Sequence, residues 1–117
     1  MRINQKVRYG LVCLHELAQN YGGYMSAEQV AQRRQMPGAY TQKILQRLAS
    51  EGLVESLKGA GYRLLVPLSE ISAYRLVDAF SEADEMPESQ AGSGINFQFE
   101  RRVEKALKSF SLAELTL

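Results

Sequence analysis

Three stretches of helical periodicity, followed directly by two short runs of strand formers around glycines, constrain this chain more than any other feature. Ile3, Val7, Leu11, Leu14, Leu17 and Ala18 fall on one stripe that Gly22-Gly23 closes, so residues 3–21 are predicted as a helix. Ser26 with Gln29 three places on is a capping-box pattern; it opens a second helix, striped by Ala27, Val30 and Ala31, that ends near Gln35. Met36-Pro37-Gly38 reads as a turn, with Pro37 in the first turn of a third helix, where its missing N–H costs little. That helix runs to Ser50 and stops at Gly52. Its inner row is Thr41, Ile44, Leu45 and Leu48, and its outer face carries Ala39, Gln42, Lys43, Gln46 and Ser50. Residues 53–57 and 62–66 are predicted strands of a β-hairpin whose turn is Lys58-Gly59-Ala60-Gly61, and Pro67 ends it.

The rest is helical. Ser72 is placed to cap a fourth helix with Leu76, Val77, Ala79 and Phe80 as its apolar positions. Residues 81–96 hold four acids, no base, one proline and two glycines, the composition of a flexible loop. A long last helix has Phe99, Val103, Ala106, Leu107 and Phe110 in register, and Ser111 with Glu114 offers a second capping box. The expectation is a mainly α fold with a small β-hairpin. Residues 1–67 would form a winged helix-turn-helix, and residues 68–117 a helical dimerisation region with its loop at 81–96.

Charge distribution points to what the first part meets. The net charge is only +1, but residues 1–67 carry nine bases and four acids, whereas residues 68–117 carry five bases and nine acids. That segregation suits a polyanion-facing half joined to one that is not. Residues 37–50 contain no acid at all, while Gln42 and Gln46 can make bidentate contacts to adenine edges and Lys43 can reach guanine or phosphate. The last helix has more apolar surface than a chain of 117 residues needs for its own core, so a second copy is expected to cover it. A dimer would also set two recognition helices about one DNA turn apart on a palindromic operator. An interaction module that has lost DNA binding is the alternative.

The opening RINQKVRYGL, the stretch YTQKILQRLASEGLV (residues 40–54), the hairpin ending GYRL, the segment EISAYRLVDAF and the closing SLAEL resemble the Rrf2 family of bacterial winged-helix regulators (IscR-, NsrR- and CymR-like). The resemblance covers nearly the whole chain in order. It implies a dimeric winged-helix regulator, usually a repressor, paired through a long C-terminal helix. It also implies base-reading positions at Pro37, Ala39 and Gln42, a phosphate-binding tyrosine at Tyr40, and a minor-groove basic residue at Lys58. The chain departs from the family's cluster-binding members. They place three cysteines in the loop before the dimerisation helix, where residues 81–96 have no cysteine or histidine, and Arg8 stands where some members have an acidic ligand. The hairpin tip is shorter than the usual wing, and Thr41 replaces a leucine. No cofactor or metal is therefore expected, and the effector, a small molecule or a protein, is not readable.

The lone Cys13 excludes an internal disulfide and any site of several thiolates on this chain. It reads as a small buried hydrophobe about 100° off the main stripe, with a thiol redox switch as the alternative. His15, the only histidine, has Ala18 and Gln19 at the positions three and four on, so it reads as a satisfied side chain rather than a metal ligand. The acids Glu82, Asp84, Glu85 and Glu88 lack the spacing of a calcium loop. No nucleophile–base pair, phosphate-binding glycine loop or carboxylate pair marks an enzyme. No run approaches the roughly 20 apolar residues of a membrane span, and MRINQKVRYG is not a secretory signal, so a cytoplasmic location without membrane contact is expected.

Overall fold

The computed structural model describes residues 4–81 and 93–115. Helix α1 is Gln5–Gln19, α2 Ala27–Arg34 and α3 Gly38–Ser50; strands β1 Val54–Leu57 and β2 Gly61–Leu64 form an antiparallel hairpin; α4 is Ala73–Ala79 and α5 Ser93–Lys108. Short 3₁₀ turns at Leu68–Glu70 and Leu112–Glu114 flank α4 and follow α5. This is the expected mainly α fold with a small hairpin and a long last helix.

Local chemistry sets most boundaries. Asn4 caps α1, its side-chain oxygen accepting from the Val7 N–H at 3.1 Å. Ser26 and Gln29 close the reciprocal capping box of α2, and Gln35 ends that helix in the left-handed region at φ 55°. Pro37 occupies the cap of α3 rather than its first turn, and its carbonyl accepts from the Thr41 hydroxyl at 2.8 Å. That bond satisfies the one polar side chain on the buried row of α3. In the hairpin Val54 faces Leu64 and Leu57 faces Gly61, so the strands are shorter than expected and Lys58, Gly59 and Ala60 make the tip.

The β-layer gains a third member through a bridge between Met25 and Tyr62, with mutual backbone bonds of 2.8 Å. Gly61 makes that approach feasible. Its φ is +116°, and a Cβ there would collide with the Met25 carbonyl.

One core runs through the chain. Leu14, Leu17, Val30, Leu45 and Leu48 are fully buried, and Ile71, Leu76, Val77, Phe80 and Leu112 from beyond Pro67 join the same cluster. The buried face of α1 is Val7, Gly10, Cys13, Leu14 and Leu17, rotated from the predicted stripe, with Leu11 and Ala18 only partly covered. The cause is Gly10. A Cβ there would lie 2.7 Å from the Phe80 ring, so the missing side chain lets the end of α4 press onto α1.

Two expectations about the last helix are corrected. The helix begins at Ser93, so residues 93–96 are helical rather than loop; residues 82–92 lie outside the described residues, as does Ile3. It ends at Lys108, so Phe110 is not in the helix: its carbonyl accepts from the Ala73 N–H at 3.0 Å and its ring packs on the core. The Ser111–Glu114 capping box forms, and the Leu112 N–H donates to the Ile71 carbonyl at 2.8 Å, pinning the chain end beside α4. No helix among the described residues is long and apolar enough to cross a membrane.

Candidate nucleic-acid interface

The outer face of α3 stands in solvent. Pro37, Ala39, Gln42, Lys43 and Gln46 are exposed, while Thr41, Ile44, Leu45 and Leu48 are buried. Gln42 is not idle there: its amide donates to the Tyr62 hydroxyl at 3.0 Å, tying the helix to the tip-side half of the hairpin, where Tyr62 pairs with Ser56. Tyr62 was not among the predicted site residues, because only the close pass of β2 beside α3 brings its hydroxyl to Gln42. Gln42 and Lys58 line one cleft of about 330 Å³ that also reaches Ser26 at the start of α2. The recognition helix and the hairpin tip thus open onto the same space. Tyr40 is half-buried and meets Tyr9 edge-on, with ring centroids 5.1 Å apart at 78°. On the flank, Tyr40 and Lys43 join Lys6 at a second, smaller cleft.

Ion pairing decides which cations of the first half are offered outward. Glu16 is buried and bonds Arg34 at 2.6 Å and Arg33 at 3.4 Å, locking α1 to the end of α2. Glu51 holds Arg47 at 3.5 Å and Arg75 at 3.3 Å, and Arg47 also donates to the Ala79 carbonyl at 2.8 Å. Arg47, which the helical wheel sets beside the outer face, therefore serves the end of α4. Glu55 bonds Arg63 at 2.7 Å and accepts from the Tyr24 hydroxyl at 2.5 Å. The Tyr24 bond, then Arg63, hold the Glu55 carboxyl below its usual range, and the same bond raises the Tyr24 hydroxyl. Three of the four acids in residues 1–67 are thus neutralised by arginines, and Lys43 and Lys58 remain exposed on the α3 and hairpin side.

On α5, Ile95, Phe97 and Phe99 are 82%, 42% and 67% exposed. Ala106 is exposed and Val103 half-buried, whereas Leu107 and Phe110 pack against the core. The five residues singled out for pairing therefore do not form one free stripe. The C-terminal end of the row is anchored on this chain and the N-terminal end stands clear.

Cys13 lies wholly inside the core, and burial pushes its thiol up to about 12. Burial also lowers the pKa of His15, with the Leu112 backbone opposing, and its Nε2 is enclosed without a hydrogen-bond partner among the described residues, so the side chain is not fully satisfied, against expectation.

The family described as "Rrf2: Iron-dependent Transcriptional regulator" matches residues 3–116. A protein of Synechocystis named as an HTH-type transcriptional regulator is 30% identical, over 98% of this chain and 87% of its own. The solved structure of CymR, the global cysteine regulator of B. subtilis, is 27% identical with a TM-score of 0.75, over 100% of this chain and 99% of that one. The structure of T. potens IscR aligns with a TM-score of 0.75 at 23% identity over 97% of this chain and 84% of that one, a likeness of fold. The chain spans 57% and 59% of the length of two further relatives, from Haemophilus influenzae and Aquifex aeolicus.

The family description mentions iron, and the donor set of this chain does not fit an iron-sulfur cluster. Its single thiol is enclosed in the core and held protonated, where a ligand must be a thiolate. Among the described residues, no three His, Cys, Asp or Glu side chains converge.

Proposed function

The chain belongs to the Rrf2 family of transcriptional regulators, and from that premise we propose that it is a homodimeric DNA-binding repressor that works without an iron-sulfur cluster. One observation carries this reading: the exposed, acid-free face of α3 and the hairpin tip open onto the same cleft, lined by Gln42 and Lys58. Residues 1–67 read the operator. Ala39, Gln42 and Gln46 lie where base edges would be met, Pro37 sits at the leading end of the helix, and Tyr40 and Lys43 on the flank meet phosphate. Lys58 reaches the neighbouring groove. Residues 68–117 pair two copies through Phe99, Val103 and Ala106, with Leu107 and Phe110 holding the pairing helix to its own core. Two copies related by a two-fold axis match a palindromic site. The protein acts on cytoplasmic DNA and is no enzyme.

The test is selection of bound duplexes from a random pool, followed by sedimentation of the free protein at micromolar concentration. An inverted repeat recovered by a dimer is the expected result. A dimer that retains no duplex at low salt would leave the interaction-module reading in its place, and a monomer would overturn the account of α5.

A further inference from the structure

Tyr9 on α1 and Tyr40 in the first turn of α3 meet edge to face, with ring centroids 5.1 Å apart and an interplanar angle of 78°. Both rings are half-buried and pack against the core. Near-perpendicular rings suit the aromatic quadrupole, which sets the positive edge of one against the negative face of the other. The contact is directional, so a Tyr40 ring turned to another rotamer loses it. Tyr9 is anchored without help from α3. It lies one place before Gly10, where α1 closes against Phe80, and its hydroxyl accepts from the Gln5 Nε2 one turn earlier at 3.4 Å. The backbone of α3 is held in turn by its buried row of Ile44, Leu45 and Leu48, so what Tyr9 adds is the direction of the Tyr40 side chain. A hydroxyl that meets a phosphate oxygen must stand at hydrogen-bond distance from it, and a ring that samples several rotamers stands there only part of the time. Affinity falls by that fraction.

We propose that Tyr9 is a positioning residue for DNA binding: its ring holds the Tyr40 side chain in the orientation in which the Tyr40 hydroxyl meets a backbone phosphate. Tyr9 acts through Tyr40 and needs no contact with DNA of its own. The inference rests on the reading of Tyr40 as a phosphate contact. The preference of an aromatic pair for this geometry corresponds to about two- to tenfold in an equilibrium. A phenol hydroxyl carries no charge and a phosphate carries no sequence, so the contact displaces no counterion and reads no base. Loss of the Tyr9 ring should therefore weaken every duplex alike and leave the salt dependence unchanged. A displacement of α3 as a whole has a different signature, because it moves Gln42 and Lys43 and with them both discrimination and salt slope.

The test titrates full-length Tyr9→Leu, Tyr9→Phe, Tyr40→Phe and the double variant Tyr9→Leu/Tyr40→Phe on a selected duplex and on random DNA at several salt concentrations, with unfolding followed in denaturant. Tyr40→Phe removes the hydroxyl and keeps the ring, and should weaken both duplexes about tenfold. Tyr9→Leu should weaken both about threefold with discrimination and salt slope unchanged, and Tyr9→Phe, which keeps the ring, should bind like the parent. The double variant decides. Once the hydroxyl is gone there is nothing left to orient, so adding Tyr9→Leu to Tyr40→Phe should cost no further affinity, whereas any cost to unfolding should persist because Tyr40→Phe leaves the ring pair in place. Should Tyr9→Leu fail to fold, Tyr9→Met carries the same comparison with a more adaptable side chain. Losses that add in the double variant, or a Tyr9→Leu loss that brings altered discrimination or salt slope, would make Tyr9 a structural residue and overturn the proposal. Equal losses for Tyr9→Phe and Tyr9→Leu would overturn it by assigning the effect to the Tyr9 hydroxyl. If Tyr40→Phe binds like the parent, the proposal falls while the DNA reading stands on the other contacts. If the parent retains no duplex, the DNA reading itself fails and the proposal goes with it.

Discussion

Helices α3 and α5 are built on similar amphipathic patterns and are used in opposite ways. On α3 every residue of the apolar row is covered by the chain itself: Ile44, Leu45 and Leu48 are 3%, 0% and 0% exposed, and Thr41 satisfies its hydroxyl on the Pro37 carbonyl. On α5 the row is covered only at its far end, where Leu107 packs on the core, and Phe99 near its start stands in solvent. A helix whose apolar side is fully used at home can offer its polar side to a foreign polyanion while keeping its position. In the proposed dimer the uncovered apolar side of α5 would meet its partner, with removal of that surface from water contributing roughly 25 cal/mol per Å². The polar faces differ in keeping: α3 presents amides and a lysine, and α5 pairs Lys108 with Glu104 at 3.2 Å along its own surface.

Substitutions along the two rows should separate these roles, beginning with the strongest. Leu45→Ala opens a cavity in a fully buried site and should cost about 2–5 kcal/mol of unfolding free energy by denaturant titration. A cost below about 1 kcal/mol would mean that α3 is not held by the core as described. Phe99→Ala should leave unfolding of the separated chain within about 0.5 kcal/mol of the parent. It should weaken dimerisation by about 2–4 kcal/mol, read by sedimentation across concentration. The reverse pattern, a destabilised chain with unchanged association, would make α5 a core helix like α3.

On the polar face, Gln42→Ala should cost about 1–3 kcal/mol on the preferred duplex and little on random DNA, since a base contact carries discrimination. Because Gln42 also steadies the Tyr62 hydroxyl, Tyr62→Phe is the control: it removes that bond and should leave discrimination largely in place. Lys43→Ala should instead weaken both duplexes nearly alike and reduce the log–log salt slope by about one. Equal effects of Gln42→Ala and Lys43→Ala on both duplexes would erase the distinction between reading and holding.

The effect that is smallest near neutral pH is the ionisation of Cys13, which acts on stability only in alkali. Its thiol titrates near 9.0 when free and is pushed to about 12 by burial, so the folded chain keeps a proton that the unfolded chain releases. The stability this contributes is complete below pH 9 and is lost as pH rises through the interval to about 12, at about 1.4 kcal/mol per pH unit. Cys13→Ala should flatten that decline relative to the parent in matched denaturant titrations. An unchanged decline, or rapid alkylation of the native parent at neutral pH, would place the thiol outside the core.

Helix order, the capping box at Ser26, the inner row of α3 and the hairpin were legible in the sequence because each depends on residues a few positions apart. Periodicity and caps act within one or two turns, so the pattern that makes an element is written where the element is. The buried face of α1 was only partly legible. Its stripe was visible, but the buried face includes Gly10 because Phe80, some seventy positions away, packs there. The reach of the last row was misjudged for a similar reason: Phe110 continues the helical spacing, yet its carbonyl is claimed by Ala73, and that bond takes the chain out of the helix. In the candidate site, the sequence by itself determined which side chains stand on the outer face of α3 and that they include no acid. Only the tertiary structure decided that Arg47 serves Ala79, that Gln42 leans on Tyr62, that Glu16 consumes Arg34, and that Lys6 and Lys43 share a cleft. Hydrogen bonds and ion pairs between distant positions leave no periodic trace, because their energy depends on where the folded backbone sets the partners and not on how far apart they lie along the chain.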